Sequence, residues 1–199
     1  ENIAPGSIKN VSIQNVTATG ANLTSSITGV EGGRVQDVII DGFTLTAKGG
    51  GAVKDIDVPE VPAKYPDGDM FGELPALALF TRHVDGLTVR NLKVHSGQPD
   101  PRPGLIADDV TRLQITGFES TNIPEQQPLL LFRNVAGALL NGNLLTTPAS
   151  VYLSVMGSKS SAIALHGNSL EAARKVFVIG EGAPAGSISV EPVRTPGER

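Results

Sequence analysis

The fold of this chain is decided by a short pattern that reads Val84-Asp-Gly-Leu-Thr-Val-Arg-Asn-Leu92 in one place and Val110-Thr-Arg-Leu-Gln-Ile-Thr-Gly-Phe118 in another. Apolar residues occupy the first, fourth, sixth and ninth positions, and the eighth residue is Asn or Gly. Alternation with a period of two sends one set of side chains to one face of a strand. Gly and Asn tolerate a positive φ better than other residues. The pattern therefore predicts two short strands joined by a sharp bend.

The same pattern recurs along the chain. Successive copies begin 27, 49, 26, 25 and 25 residues apart, and 49 is close to two periods. A constant period of this length indicates a solenoid, in which each repeat buries its apolar face against its neighbours. We therefore predict an all-β fold, namely a right-handed single-stranded parallel β-helix with coils of about 25 residues. The copies begin at these residues, with a weaker first position in the last: Ile8, Val35, Val84, Val110, Val135 and Ser160.

The bends leave two structural alternatives open. Asn15 and Asn91 fall at equivalent bends, where they either form a ladder of side-chain amides or act simply as turn formers. A leucine-rich repeat has a similar period, but it requires Asn three residues after the last strand Leu and a helix on the convex side. Here the bend residue follows after two residues and a second strand pattern succeeds it, which favours the β-helix.

One domain over residues 1–199 accounts for the whole chain, which is 40% hydrophobic. The segment at about 46–78 is rich in Gly and Pro and has no periodicity, so we predict a long loop that projects from the stack. Residues at about 191–199 are predicted to be a frayed tail.

Composition excludes several functional classes. The net charge is -4 and no cluster of Lys or Arg is present, so we expect neither nucleic acid nor a membrane as a partner. The absence of Cys excludes disulfides, thiolate metal sites and thiol redox chemistry. We expect no cofactor.

Several segments follow one another in a linked order within residues 7 to about 120: Ser25-Ser-Ile-Thr-Gly29 with 32–40, Tyr65-Pro66, Met70-Phe-Gly-Glu-Leu-Pro-Ala76, Arg82-His-Val84, Asp100-Pro-Arg-Pro103 and Asp108-Asp-Val110. In this order they resemble the bacterial branch of the polygalacturonase-like glycoside hydrolases, the pectinase family. The resemblance implies a secreted or periplasmic enzyme that hydrolyses galacturonate or rhamnogalacturonan linkages of pectic polysaccharide with inversion.

The catalytic motifs of that family are missing. The family uses Asn-Thr-Asp, Gly-Asp-Asp, Gly-His-Gly and Arg-Ile-Lys motifs, whereas this chain has only a bare Asp pair. In the family these motifs lie upstream of the matched region, so the resemblance implies that they belong to coils before Glu1. We therefore expect the isolated chain to be inactive, and N-terminal coils of the same protein or another chain to cover the open end of the stack.

Asp108 and Asp109 are candidates for a catalytic carboxylate pair, although we favour a structural role for them. Inverting glycosidases hold their acid and base about 6.5–9.5 Å apart. Neighbours on a strand point to opposite faces, so the two carboxylates would need a bend to converge. They also stand directly before Val110, where polar turn residues are expected, and we assign no catalytic residue.

Four residues are candidates for substrate binding. Arg82 and His83 stand directly before Val84, where they would meet a sugar carboxylate or form a solvated turn. Lys64 and Tyr65, with Phe71 nearby, lie in the predicted loop and would form a sugar-acid subsite or pack locally. No metal site is predicted, because His95 and His166 lack ligand spacing.

Three functions remain open. The chain would be the C-terminal coils of a pectin-active hydrolase, a non-catalytic polysaccharide-binding or structural β-helix, or a self-contained enzyme using Asp108 and Asp109. The first is favoured because it accounts for both the resemblance and the missing motifs.

Overall fold

The computed structural model describes residues 6–61, 67–121 and 127–191, which form strands and contain no helix. The predicted all-β solenoid is therefore confirmed, and the leucine-rich repeat is excluded for these residues. No helix that could cross a membrane is present in the described ranges. The strands are β1 Lys9–Ala21, β2 Ser25–Thr28, β3 Val35–Ala47, β4 Leu79–Ser96, β5 Leu105–Thr116, β6 Glu119–Ser120, β7 Pro128–Arg133, β8 Ala136–Asn141, β9 Ala149–Met156, β10 Ser161–His166, β11 Ala173–Ile179 and β12 Ile188–Val190.

The strands stack in parallel as a solenoid of about seven turns, with a spacing of about 26 residues. One continuous row runs β1-β3-β4-β5-β7-β9-β11, and β5 is also paired with β8, which continues through β10 to β12. Every coil thus shares backbone hydrogen bonds with its neighbours, and this pairing supports short strands that would not be stable alone.

The coil-start valines form one column that faces the core. Val35 pairs with Val84 and Val84 with Val110, and these residues are 0–5% exposed. Val135 is fully buried in the same core cluster. Ser160 continues the series and is 1% exposed, and its hydroxyl oxygen accepts a hydrogen bond from the Val135 amide at 3.2 Å.

Ile8 differs from the other coil starts. It lies before β1 and is 57% exposed, and no residue of β1 is fully buried, because β1 has a paired neighbour on one side only. The repeat that was predicted from Ile8 is therefore present at this end of the stack, but its apolar side chains are not fully buried.

The predicted bends also adopt the expected conformation. Asn15 and Asn91 have φ values of 54° and 52°, and the Gly residues at equivalent bends also have positive φ. We call this column the Gly42 corner, and it consists of Asn15, Gly42, Asn91, Gly117, Gly142 and Gly167.

Two further columns of positive φ were not predicted. The first, the Gly86 corner, consists of Asn10, Asp37, Gly86, Arg112, Gly137 and Ala162. The second, the His83 corner, consists of His83, Asp109, Asn134 and Gly157. Sequence analysis missed both because their residue types vary from coil to coil.

Of the two alternatives left open for Asn15 and Asn91, the structure favours turn formers over an amide ladder. Gly42 lies between them in the stack, and the Asn91 amide donates to the Asp41 carboxylate at 2.9 Å. A coil-to-coil amide contact occurs instead between Asn143 and Asn168, where Nδ2 of Asn143 donates to Oδ1 of Asn168 at 2.9 Å. Asn143 is 1% exposed and also accepts from the Phe118 amide, so its polar atoms are satisfied inside the core.

The segment between β3 and β4, which we call the excursion, folds back onto the stack over its described parts. Ile56, Val58 and Phe71 pack on a second apolar cluster that includes Phe80 and Ile106. Residues 52–55 of the same segment are exposed, and the described part of the excursion contains no strand. Strand structure resumes at Leu79.

A buried ion pair between Asp100 and Arg102 binds two parts of the excursion, one at Gly51 and the other at Leu74. The Asp100 carboxylate is fully buried, and it accepts hydrogen bonds from Arg102 and from the Gly51 amide at 2.9 Å. Arg102 in turn donates to the Leu74 carbonyl at 3.3 Å.

The predicted C-terminal tail lies outside the described residues from 192 onward. The last described residue, Glu191, donates its backbone amide to the Leu165 carbonyl.

The Val110→Asp variant tests the inward column. It should lower the free energy of unfolding by roughly 3–5 kcal/mol, because it places an unpaired carboxylate in a fully buried position. Gln114→Asp is the matched control, since Gln114 is an exposed residue of the same strand. Denaturant unfolding measures both, and equal stability of the two variants would contradict the column.

Candidate functional site

The residues that directly precede the coil starts line one cleft. They are Arg34, His83, Asp109, Asn134 and Lys159, and the cleft has a volume of about 720 Å³. Parallel pairing places three of them, His83, Asp109 and Asn134, above one another at the strand spacing of about 4.8 Å. The described part of the excursion closes one side of this cleft with residues 57–60.

His83 lies at the centre of the cleft and contacts carboxylates through both ring nitrogens. Its Nδ1 is 2.6 Å from Oδ2 of Asp109, and its Nε2 is 2.8 Å from Oε1 of Glu60. His83 has a φ of 52°, which turns its side chain out of the coil and toward the cleft. The imidazole is thus held from two sides, by the next coil and by the excursion.

Asp109 connects His83 to a cation. Its Oδ1 accepts a hydrogen bond from Arg34 at 2.7 Å, and its carbonyl accepts a second from the same guanidinium at 2.9 Å. Burial opposes ionisation of Asp109, but the hydrogen bond from His83 and the charge of Arg34 outweigh it, so the pKa of Asp109 lies below its usual value. Asp109 is therefore ionised at neutral pH.

Asp108 is bound by a different cation. Arg133 donates to both of its carboxylate oxygens, at 2.8 and 2.7 Å, and the Asp108 side chain is only 9% exposed. The same guanidinium also contacts the Asp57 carboxylate and the Ile56 carbonyl of the excursion. This bidentate geometry is the strong form of an Arg–carboxylate contact.

The bend that Asp108 and Asp109 need in order to converge is present. Asp109 has a φ of 51°, and both residues line the cleft. Each carboxylate is nevertheless engaged by cations, and the lowered pKa of Asp109 disfavours the protonated form that a general acid requires. The geometry therefore favours the structural role that sequence analysis preferred for this pair.

Arg82 lines the cleft but holds the excursion in place. It is 4% exposed, and it donates to the Val58 carbonyl at 2.5 Å. Its guanidinium lies over the rings of Phe71 and Phe80, at 5.4 and 5.8 Å from their centroids. This position leaves little of the guanidinium for a ligand, so of the predicted Arg82–His83 pair, His83 is the better placed for binding.

The other candidate residues are not at this site. Lys64 and Tyr65 lie outside the described residues, so their predicted binding role stays a prediction. His95 contacts the Thr121 hydroxyl at 2.9 Å, and His166 contacts the Glu191 carboxylate at 2.9 Å. The described residues contain no group of side chains that could hold a metal ion. At His83, the two carboxylates contact opposite ring nitrogens and do not converge on one point.

Sequence analysis missed several residues of the cleft. Arg34, Asn134 and Lys159 had a usable signal, because each stands directly before a coil start, as His83 and Asp109 do. Asp57 and Glu60 had none, because they come from a segment without periodicity.

No family model, no curated protein and no solved structure matches this chain. The fold and the site are therefore interpreted from their own geometry. The cleft is a polar groove with paired charges on the outside of a β-helix.

The pKa of Asp109 gives a testable dependence of stability on pH. Because its pKa is lower in the folded state than the unfolded value of about 3.9, its pairing stabilises the fold above that pH and is lost as the pH falls through the folded pKa. Between pH 5 and pH 3, the wild type should lose more stability than Asp109→Asn, by up to roughly 1 kcal/mol.

Asn is a suitable replacement because Asn134 has a φ of 55° at the same corner. Asp69→Asn in an exposed turn is the control and should follow the wild type. Denaturant unfolding at each pH measures the difference. Parallel curves for wild type and Asp109→Asn would show that Asp109 is not stabilised as an anion.

Proposed function

We propose that this chain supplies the coils and a substrate-cleft wall of a pectin-active, polygalacturonase-like glycoside hydrolase. In this proposal the cleft at the His83 corner binds an acidic polysaccharide, and hydrolysis uses residues that this chain does not contain. The observation that carries the proposal is the cleft itself, which is built across successive coils of a solenoid.

The shape of the cleft supports a linear ligand. Its lining includes His83, Asp109 and Asn134, which are stacked one coil apart, so polar groups repeat along the axis of the solenoid on this side of the cleft. A polysaccharide also presents repeated polar groups along one direction. Binding at such a groove needs no deep apolar pocket, and the charged lining of this cleft fits a polar ligand.

One exposed cation supports a carboxylated ligand, in a cleft lined by five carboxylates (Glu31, Asp57, Glu60, Asp108 and Asp109) and four Lys or Arg residues. Arg34 and Arg133 are already paired with Asp109 and Asp108. The Lys159 ammonium is exposed, lines the cleft, and has no ion-pair partner among the described residues. An exposed cation at the end of a polar groove attracts a sugar acid more than a neutral sugar.

The pairing of Asp108 and Asp109 with cations supports a non-hydrolytic role for these two residues. Asp108 and Asp109 are held by Arg133 and by Arg34 with His83. An inverting hydrolase requires one protonated and one ionised carboxyl group that both face the substrate. This arrangement agrees with the missing family motifs, and it also supports the second candidate function, a non-catalytic polysaccharide-binding or structural β-helix.

Calorimetric titration with trigalacturonate tests the ligand class. Lys159→Gln should weaken binding about three- to tenfold, because it removes the unpaired cation of the cleft. Lys175→Gln is the matched control, since Lys175 is an exposed lysine of β11 that does not line the cleft. The control should bind like the wild type, and a neutral galactose trimer should bind more weakly to all three proteins.

The same samples test whether the chain hydrolyses its ligand. Assays for new reducing ends on polygalacturonate and rhamnogalacturonan should stay at background. Hydrolysis that is abolished in the Asp108→Asn and Asp109→Asn double variant would overturn the proposal in favour of a self-contained enzyme. Absence of binding to any acidic saccharide would favour a purely structural β-helix.

A further inference from the structure

The excursion places one of its own carboxylates in the cleft. Oε1 of Glu60 is 2.8 Å from Nε2 of His83, and Oε2 accepts a hydrogen bond from the Glu31 amide at 3.2 Å. When the imidazole is protonated, Nδ1 donates to Asp109 and Nε2 donates to Glu60, so each oxygen of the Glu60 carboxylate has its own donor, one from a side chain and one from the backbone. Such a two-donor arrangement is a carboxylate-binding geometry.

The donors of this arrangement are held in place without Glu60. Asp109 fixes the imidazole of His83 through the opposite nitrogen at 2.6 Å, and Asp109 is itself held by Arg34. The imidazole is 17% exposed, and the φ of His83 is set by the corner of the stack. Removal of the Glu60 side chain therefore leaves an oriented donor that faces the cleft.

Glu60 itself is weakly restrained. Its side chain is 35% exposed, and its contacts are polar. Exposed ion pairs of this kind are worth little, because both charges are solvated when they separate. Rotation of the side chain toward solvent would free the two donors without disturbing the stack.

We propose that Glu60 occupies a subsite for a ligand carboxylate and competes with the ligand for it. In this inference, a carboxylate of a sugar acid binds between His83 Nε2 and the Glu31 amide after Glu60 has moved away. The identity of the ligand as a saccharide rests on the proposed function, whereas the carboxylate chemistry of the subsite rests on the contacts of Glu60 alone.

The Glu60→Ala variant tests the competition. Because an internal competitor lowers apparent affinity by the fraction of sites that it fills, trigalacturonate should bind Glu60→Ala about three- to tenfold more tightly than the wild type. Glu73→Ala is the matched control, since Glu73 is also an exposed carboxylate of the excursion, but it pairs with Lys54 at 2.9 Å and does not line the cleft. It should bind like the wild type in the same calorimetric titration.

A titration with formate tests the subsite without a saccharide. At constant ionic strength, formate should shift the His83 imidazole resonances of Glu60→Ala in a saturable way, and with a lower midpoint than in the wild type. The Glu60→Ala, His83→Asn double variant should lose the tighter binding of trigalacturonate. Asn is chosen because Asn134 adopts a φ of 55° at the same corner, so the stack should persist, as thermal unfolding can verify.

The outcomes separate this inference from the proposed function. Wild-type binding of trigalacturonate that Glu60→Ala leaves unchanged or weakens would overturn the subsite and leave the proposed function standing. If no variant binds trigalacturonate but formate titrates His83 in Glu60→Ala, the proposed function fails and the carboxylate subsite stands. If neither ligand binds, both are wrong.

Discussion

The rest of the structure depends on the parallel backbone pairing of each coil with the next in a constant register. Arg82 pairs with Asp108 and Val84 with Val110, so the residue between them, His83, lies directly over Asp109. This register converts a position in the repeat into a column in space. The inward column of coil-start residues becomes the core, and the residues directly before it become the lining of the cleft. A shift of one residue would exchange buried and exposed side chains throughout the coil.

The cleft combines this column with a segment that does not repeat. The stack orients His83 and Asp109, and the positive φ at each corner turns their side chains outward. The excursion then supplies Glu60 and Asp57, and its apolar residues pack on Phe80 and hold it there. Most Arg and Asp side chains of the cleft are paired with one another. In the proposed function, an acidic ligand would gain most at Lys159 and His83.

The repeat could be predicted from the sequence because few residue types satisfy it. Burial restricts coil starts such as Val84 largely to apolar residues, and positive φ restricts bends such as Gly42 to Gly and Asn. Both positions therefore recur visibly in the sequence. The Gly86 corner contains residues as different as Arg112 and Ala162, and the residue types of the His83 corner also vary. Neither column therefore forms a recognisable pattern in the sequence. The folding of the excursion onto the stack depends on tertiary contacts such as that of Glu60 with His83, for which local sequence has no signal. The candidate site was therefore predicted in part: its stacked residues lay within the repeat, and their loop partners did not.

The most direct test of this account is a map of amide chemical shifts on titration of isotopically labelled protein with trigalacturonate. The account predicts that the largest changes at saturation occur at the cleft, at the amides of His83, Asp109 and Asn134 in the His83 corner and of the adjacent Lys159. Amides of β10, such as that of His166, should change little, because β10 does not line this cleft. Changes concentrated on β8 and β10, or none at saturating ligand, would contradict the assignment of this corner as the site of an acidic polysaccharide.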